Sequence, residues 1–129
     1  MPRTPAPSPV KSSSKAQARF RLRVQRGADI AIGPGKIALL EAIRDHGSIT
    51  QAAKEISMSY RRAWLLLDEL NRSLRKPATA SNQGGSHGGG CLVTPEGEQL
   101  IALYREIERR AEQACSQQLV SLVKLVARG

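Results

Sequence analysis

Three observations predict a mainly α-helical fold with a small amount of β structure. Apolar residues recur at helical spacing in the stretches that follow Pro34, Ser59 and Thr94. Each of those three positions suits the start of a helix: a proline in a first turn, a serine cap, and a Thr-Pro pair. Two further segments, 19–32 and 78–93, carry short apolar or alternating runs on either side of glycine-containing turns and read as hairpins.

The chain has 129 residues and a formal net charge of +9, which leaves room for one domain of ordinary size. A strongly basic balance points to a polyanion or an acidic surface as partner, with solubility alone as the alternative. Cys91 and Cys115, far apart, make no disulfide framework and fit a reducing cytoplasm. No apolar run reaches the roughly 18 residues a membrane span needs. Residues 1–15 are rich in Pro, Ser and basic residues and lack the apolar stretch of a secretory signal.

Residues 1–16 read as a disordered basic arm, because Pro2, Pro5, Pro7 and Pro9 block regular structure and the serines offer nothing to bury. Arg3, Lys11 and Lys15 could touch phosphates. Arg19 to Val24 alternates strictly, with Phe20, Leu22 and Val24 on one face and Arg19, Arg21 and Arg23 on the other. Period two predicts a half-buried strand. Gly27 makes a turn and Asp29 to Ile32 the return strand. The arginine row is either solvated or turned to a phosphate backbone.

Pro34 opens the first helix, in which Ile37, Leu40 and Ile43 recur with Leu39 and Ala42 beside them. Gly47 ends it where a left-handed residue is wanted. Ser48 and Gln51 have capping-box spacing and start a short helix carrying Ala52, Ala53 and Ile56. Ser57 and Met58 turn the chain. Ser59 caps a third helix, whose stripe is Ala63, Leu66, Leu67, Leu70 and Leu74. Pro77 stops it. Ala78 to Ser81, a glycine-rich tip over 84–90 and Cys91 to Val93 form the second hairpin. Thr94, Pro95 and Glu96 begin the last helix, with Leu100, Tyr104, Ile107, Ala111 and Ala114 at alternating four- and three-residue steps. That spacing is a seam for a second helix. The pattern shifts after Ser116, so a bend or break is expected between Cys115 and Gln118.

A short capped helix, a tight turn and a longer helix followed by a hairpin make a winged helix-turn-helix. The N-terminal end of the second helix of such a unit can enter the major groove of double-stranded DNA. Here that end offers Ser59, Tyr60, Arg61 and Arg62, and arginine can donate two hydrogen bonds to guanine or a fork to phosphate. Thr50 and Gln51, at the start of the bracing helix, suit phosphate contact. Arg72, Arg75 and Lys76 suit the backbone further along. The wing would contribute Asn82, Gln83, Ser86 and His87. Read otherwise, the arginines are a plain exposed face, and Tyr60 and Trp64 pack on each other.

Other chemistries find little support. A phosphate-cradling loop needs a lysine followed by Ser or Thr, and neither 84–90 nor the stretch ending at Lys36 supplies it. His46 and His87 have no second ligand at metal spacing, so no metal and no cofactor are expected. Cys91 precedes two apolar residues and reads as buried, not nucleophilic. Asp68 and Glu69 point apart on their helix. An enzyme is not expected. The residues leave two other readings open: a helix-turn-helix that serves only to dock a protein, and a stand-alone oxyanion binder using the 84–90 loop.

Three stretches resemble the N-terminal domain of the ModE-type molybdate-responsive regulators: Gly47-Ser48-Ile49-Thr50-Gln51-Ala52-Ala53, Met58-Ser59-Tyr60-Arg61-Arg62-Ala63-Trp64, and Leu70-Asn71. Leu92-Val93-Thr94-Pro95-Glu96-Gly97 and Leu100 to Tyr104 fit the same family, and the resemblance covers roughly residues 19–115. The Gly-Ser-Ile part is shared with LysR-type winged helices. The resemblance implies a dimeric winged helix on a palindromic operator that represses or activates molybdate-related genes, with the long last helix in the dimer. The expected layout is an arm over 1–16, the DNA-binding domain over 17–93 and the dimerisation helix over 94–129. The pair of molybdate-binding β-barrels that such regulators often carry is not expected before Gly129, and a partner chain could supply the missing sensor.

Overall fold

The computed structural model describes residues 15–82 and 90–127. The arm assigned to 1–16 falls almost wholly outside the described residues, as do Gln83, Ser86 and His87 of the wing. The elements in chain order are β1 (Val24–Arg26), β2 (Asp29–Ile32), α1 (Pro34–His46), α2 (Ile49–Glu55), α3 (Tyr60–Ser73), β3 (Thr79–Asn82), β4 (Gly90–Val93), α4 (Pro95–Ala114) and α5 (Ser116–Lys124). This is a winged helix-turn-helix, mainly α with two small antiparallel hairpins. Residues 21–108 cluster as one unit, and the described residues 15–20 and 109–127 as a second.

Within the first unit, local chemistry sets each helix. Pro34 occupies the first turn of α1, and the helix ends at Gly47, whose φ of 75° is open to glycine and whose N–H donates to the Ile43 carbonyl at 2.8 Å. The Ser48 hydroxyl accepts from the Gln51 N–H at 3.0 Å and starts α2. Ser57, at a φ of 56°, makes the turn, and the Met58 N–H reaches back to the Ala53 carbonyl at 2.8 Å. The Ser59 hydroxyl then caps α3 by accepting from the Arg62 N–H at 3.1 Å. Apolar faces from α1, α2 and α3 close one core with Ile37, Leu39, Leu40, Ile43, Ala52, Ala53, Ala63, Leu67 and Leu70 all buried.

The wing is stitched to this core at its base. β3 and β4 pair Thr79 with Val93 through Asn82 with Gly90. The Cys91 N–H donates to the Gly47 carbonyl at 3.0 Å, which ties the hairpin to the end of α1. Asn71 holds the other side: its Oδ1 accepts from the Ala78 N–H at 2.7 Å and its Nδ2 donates to Thr79 Oγ1 at 3.0 Å. Ala78 is fully buried, so loss of that acceptor strands an N–H away from water. Asn71→Leu is therefore expected to destabilise the fold by about 1–3 kcal/mol. Urea denaturation reads it, and an unchanged midpoint would show that the asparagine does not hold the wing.

α4 begins on Thr94, whose hydroxyl donates to the Pro77 carbonyl at 2.7 Å and accepts from the Gly97 N–H at 3.1 Å. It is fastened to α1 by Arg105, which donates to both Glu41 carboxylate oxygens at 2.7 and 2.8 Å and to Glu108 at 2.7 Å. The hydrogen bonds from Arg105 hold the Glu41 carboxyl below its ordinary range, against a smaller opposing effect of burial.

The extent of the first hairpin needs correction. The predicted strand over 19–24 forms a ladder only from Val24, paired with Ile32. β2 is four residues long and the chain enters α1 at Pro34, so among the described residues no paired strand continues beside 19–23. Alternation survives there as exposure alone, with Phe20 and Leu22 half-buried and the three arginines exposed. The last helix is two helices, divided at Cys115 where the shift of pattern places it.

Candidate nucleic-acid interface

The cap on Ser59 fixes where α3 begins and so which residues its first turn presents. Ser59, Tyr60, Arg61 and Arg62 are all exposed, Tyr60 at 54%. Thr50 and Gln51 are exposed on the first turn of α2. The two arginines face different ways, because neighbours on a helix are about 100° apart. Arg61 lies with Tyr60, Trp64 and Leu65 around a shallow hollow. Arg62 lines a separate cleft of about 440 Å³ with Arg21, Arg23 and Lys36.

Farther along, Arg72 pairs with Asp68 at 3.1 Å and Lys76 approaches Glu96 at 3.9 Å, both on the surface. Such exposed pairs contribute little and open readily, so both cations remain available to a phosphate. Arg75 is exposed. Asn82 ends β3 opposite Gly90.

Sequence reasoning gave Trp64 no binding role and passed over Leu65; they are 47% and 45% exposed on α3. They sit in the run Trp64-Leu65-Leu66-Leu67, where only Leu67 is buried. Four apolar residues in a row conceal which one faces out. A helix phase set from Ala63, Leu67 and Leu70 would have placed Leu65 opposite the core.

The proposed seam on α4 is partly turned inward. Tyr104 is 3% exposed, and its hydroxyl donates to the Leu22 carbonyl at 2.7 Å. Leu100 packs against the core of its own chain. Tyr104 serves the fold and is not free for a second helix, while Leu100 is half-buried; the alternating spacing identifies an apolar stripe without saying what covers it. Ile107 and Ala114 are exposed and Ala111 half-buried. Leu103, absent from the predicted seam, is 56% exposed. On α5, Val120, Leu122, Leu125 and Val126 are exposed in and just beyond the helix.

Cys91 is buried, and burial pushes its thiol above the usual range, as suits a packing residue. Among the described residues no group of three or more His, Cys, Asp or Glu is placed to hold a metal ion. No described helix is long and apolar enough to cross a membrane.

No family model matches the chain. It is 44% identical over 77 residues to the molybdenum-pterin-binding protein MopB of Rhodobacter capsulatus, covering 60% of this chain and 28% of that protein. It is 41% identical over 83 residues to the transcriptional regulator ModE of Haemophilus influenzae, covering 64% and 32%. With the molybdenum transport protein ModE of Azotobacter vinelandii it shares 38% identity over 92 residues, 70% of this chain and 34% of that one. The chain thus spans about a third of the length of these relatives. Its homologues are ModE-type transcriptional regulators and the related Mop proteins, and its winged helix-turn-helix fits the DNA-binding domain of that kind of regulator.

Proposed function

We propose that this chain is a non-enzymatic, sequence-specific DNA-binding module of the ModE type, acting in the cytoplasm as a homodimer on a palindromic operator. One observation carries the reading: the capped start of α3 presents Ser59, Tyr60, Arg61 and Arg62 to solvent, on a helix braced by α2. A helix end of that kind matches the width of the major groove, about 12 Å. Thr50 and Gln51 reach the phosphates beside it, Arg72, Arg75 and Lys76 follow the backbone, and Asn82, Gln83, Ser86 and His87 are the wing residues assigned to further contacts. A homodimer would place its two recognition helices about 34 Å apart, one duplex turn. Ile107, Ala111 and Ala114 with Leu103 supply the apolar surface for that pairing.

Selection of bound sequences from random duplex DNA tests it. The expected result is enrichment of a palindromic site, bound with an affinity that falls by about three decades or more between 50 and 200 mM salt, as cations displace condensed counterions. No enrichment, or a change of less than roughly threefold over that salt range, sinks the proposal. Tight, salt-insensitive capture of a protein partner through Trp64 and Leu65, with no retention on DNA, would replace it with a docking role.

A further inference from the structure

We infer that the cleft lined by Arg21, Arg23 and Arg62 is a second, built phosphate seat, which grips the DNA backbone beside the groove occupied by α3. This rests on the DNA-binding reading and extends it to residues of the first hairpin. The cleft holds about 440 Å³ and is walled by Arg21 and Arg23 before β1, by Gly33 to Lys36 at the start of α1, and by Arg62 on α3.

Two carboxylates also line it, and their positions decide its charge. Glu69 is taken by Lys36, whose buried Nζ lies 3.3 Å from its Oε1 and also donates to the Ile30 carbonyl. That pair cancels. Asp29 is then the one carboxylate set against three guanidinium groups, and among the described residues none of the three has a carboxylate within ion-pair distance. Three like charges around one hollow repel each other unless an anion joins them.

The wall adds to the same field. α1 starts at Gly33 with no side-chain cap, and Pro34 has no N–H, so the Gly35 and Lys36 N–H groups stand at the positive end of a 13-residue helix. The stem of Arg23 runs across this helix start, with its Cγ 3.7 Å from where a Cβ on Gly33 would be. Space around Gly35 is open.

A phosphodiester of the duplex is the occupant that the geometry favours over a free anion. Arg62 belongs to the same exposed first turn as Tyr60 and Arg61, so the cleft borders the end of α3 that the DNA-binding reading sets in the groove. The arginines are exposed, as suits a backbone passing along a surface.

The test uses the full chain on its selected site and on an unrelated duplex, with salt titration. Arg21→Gln/Arg23→Gln is expected to weaken both complexes by the same factor, about 5- to 30-fold at 150 mM salt. The slope of log affinity against log salt should fall by about 0.9 for each phosphate released, one or two in all. The ratio of specific to non-specific affinity should not move. Arg26→Gln, exposed at the hairpin turn and outside the cleft, is the control and should retain most of the slope. A wild type that binds no duplex overturns both the DNA-binding reading and the seat. A wild type that binds, with the double variant indistinguishable from it, overturns the seat alone. So does an equal loss from Arg26→Gln, which would mean bulk charge only. Calorimetric heat from inorganic phosphate that the double variant abolishes, with an unchanged DNA slope, reassigns the cleft to a free anion. Far-UV circular dichroism superimposable on wild type shows that the variants are folded.

Discussion

Gly97→Ala is expected to lower stability by about 2–3 kcal/mol, although alanine is ordinarily the better helix former by about 1 kcal/mol. The sign is reversed by what surrounds the first turn of α4. Gly97 is buried where that turn crosses the base of the wing. A methyl group there would fall against the Ala78 carbonyl oxygen and lie 2.6 Å from Val93 Cγ1. The carbonyl cannot swing aside, because it accepts the Thr94 N–H at 2.9 Å while the Ala78 N–H is held by Asn71. Relief would require α4 to lift from β3, parting the wing from the helix that closes the core. For a compact unit of this size the loss corresponds to a fall in melting temperature of about 10–20 °C. Gly35→Ala is the matched comparison, in a helical first turn with open space around it, and should be neutral or mildly stabilising. A Gly97→Ala protein that melts at or above the wild type would show that α4 does not pass so close to Ala78.

Elements whose cause is local were legible in the sequence. Caps at Ser48 and Ser59, the left-handed residue at Gly47 and the Thr94-Pro95 start each depend on a few adjacent residues, and each forms as the spacing predicts. Cys115 divides the last two helices for the same reason, since the apolar pattern itself changes phase there. What escaped was set by distant partners. The extent of β1 depends on where β2 stops, and Tyr104 is drawn inward by a carbonyl 82 residues away. The cleft joins Arg21 and Arg23 to Arg62 across some forty residues of chain, so no local pattern announces it. Exposure of Trp64 and Leu65 is the exception, because the helix phase was available from the buried stripe alone.

The divergence of Arg61 and Arg62 leads to separate expected outcomes for two adjacent substitutions. Arg61 shares its face with Tyr60, Trp64 and Leu65, an amphipathic patch able to donate hydrogen bonds to guanine and lay apolar surface on thymine methyl groups. Arg61→Ala should therefore weaken the selected site by about 5- to 150-fold, the equivalent of about 1–3 kcal/mol, while a scrambled duplex loses far less. Arg62 shares the phosphate-facing cleft, and Arg62→Ala should weaken both duplexes together and flatten the salt dependence. Neither change touches the cap, which uses the backbone N–H of Arg62 and leaves its side chain free, so both proteins should fold and melt as the wild type does. Fluorescence anisotropy on the two duplexes across a salt series separates the outcomes. Identical behaviour of the two variants would mean that the helix meets the duplex with one face only. Wild-type binding by both would mean that the first turn of α3 reads nothing.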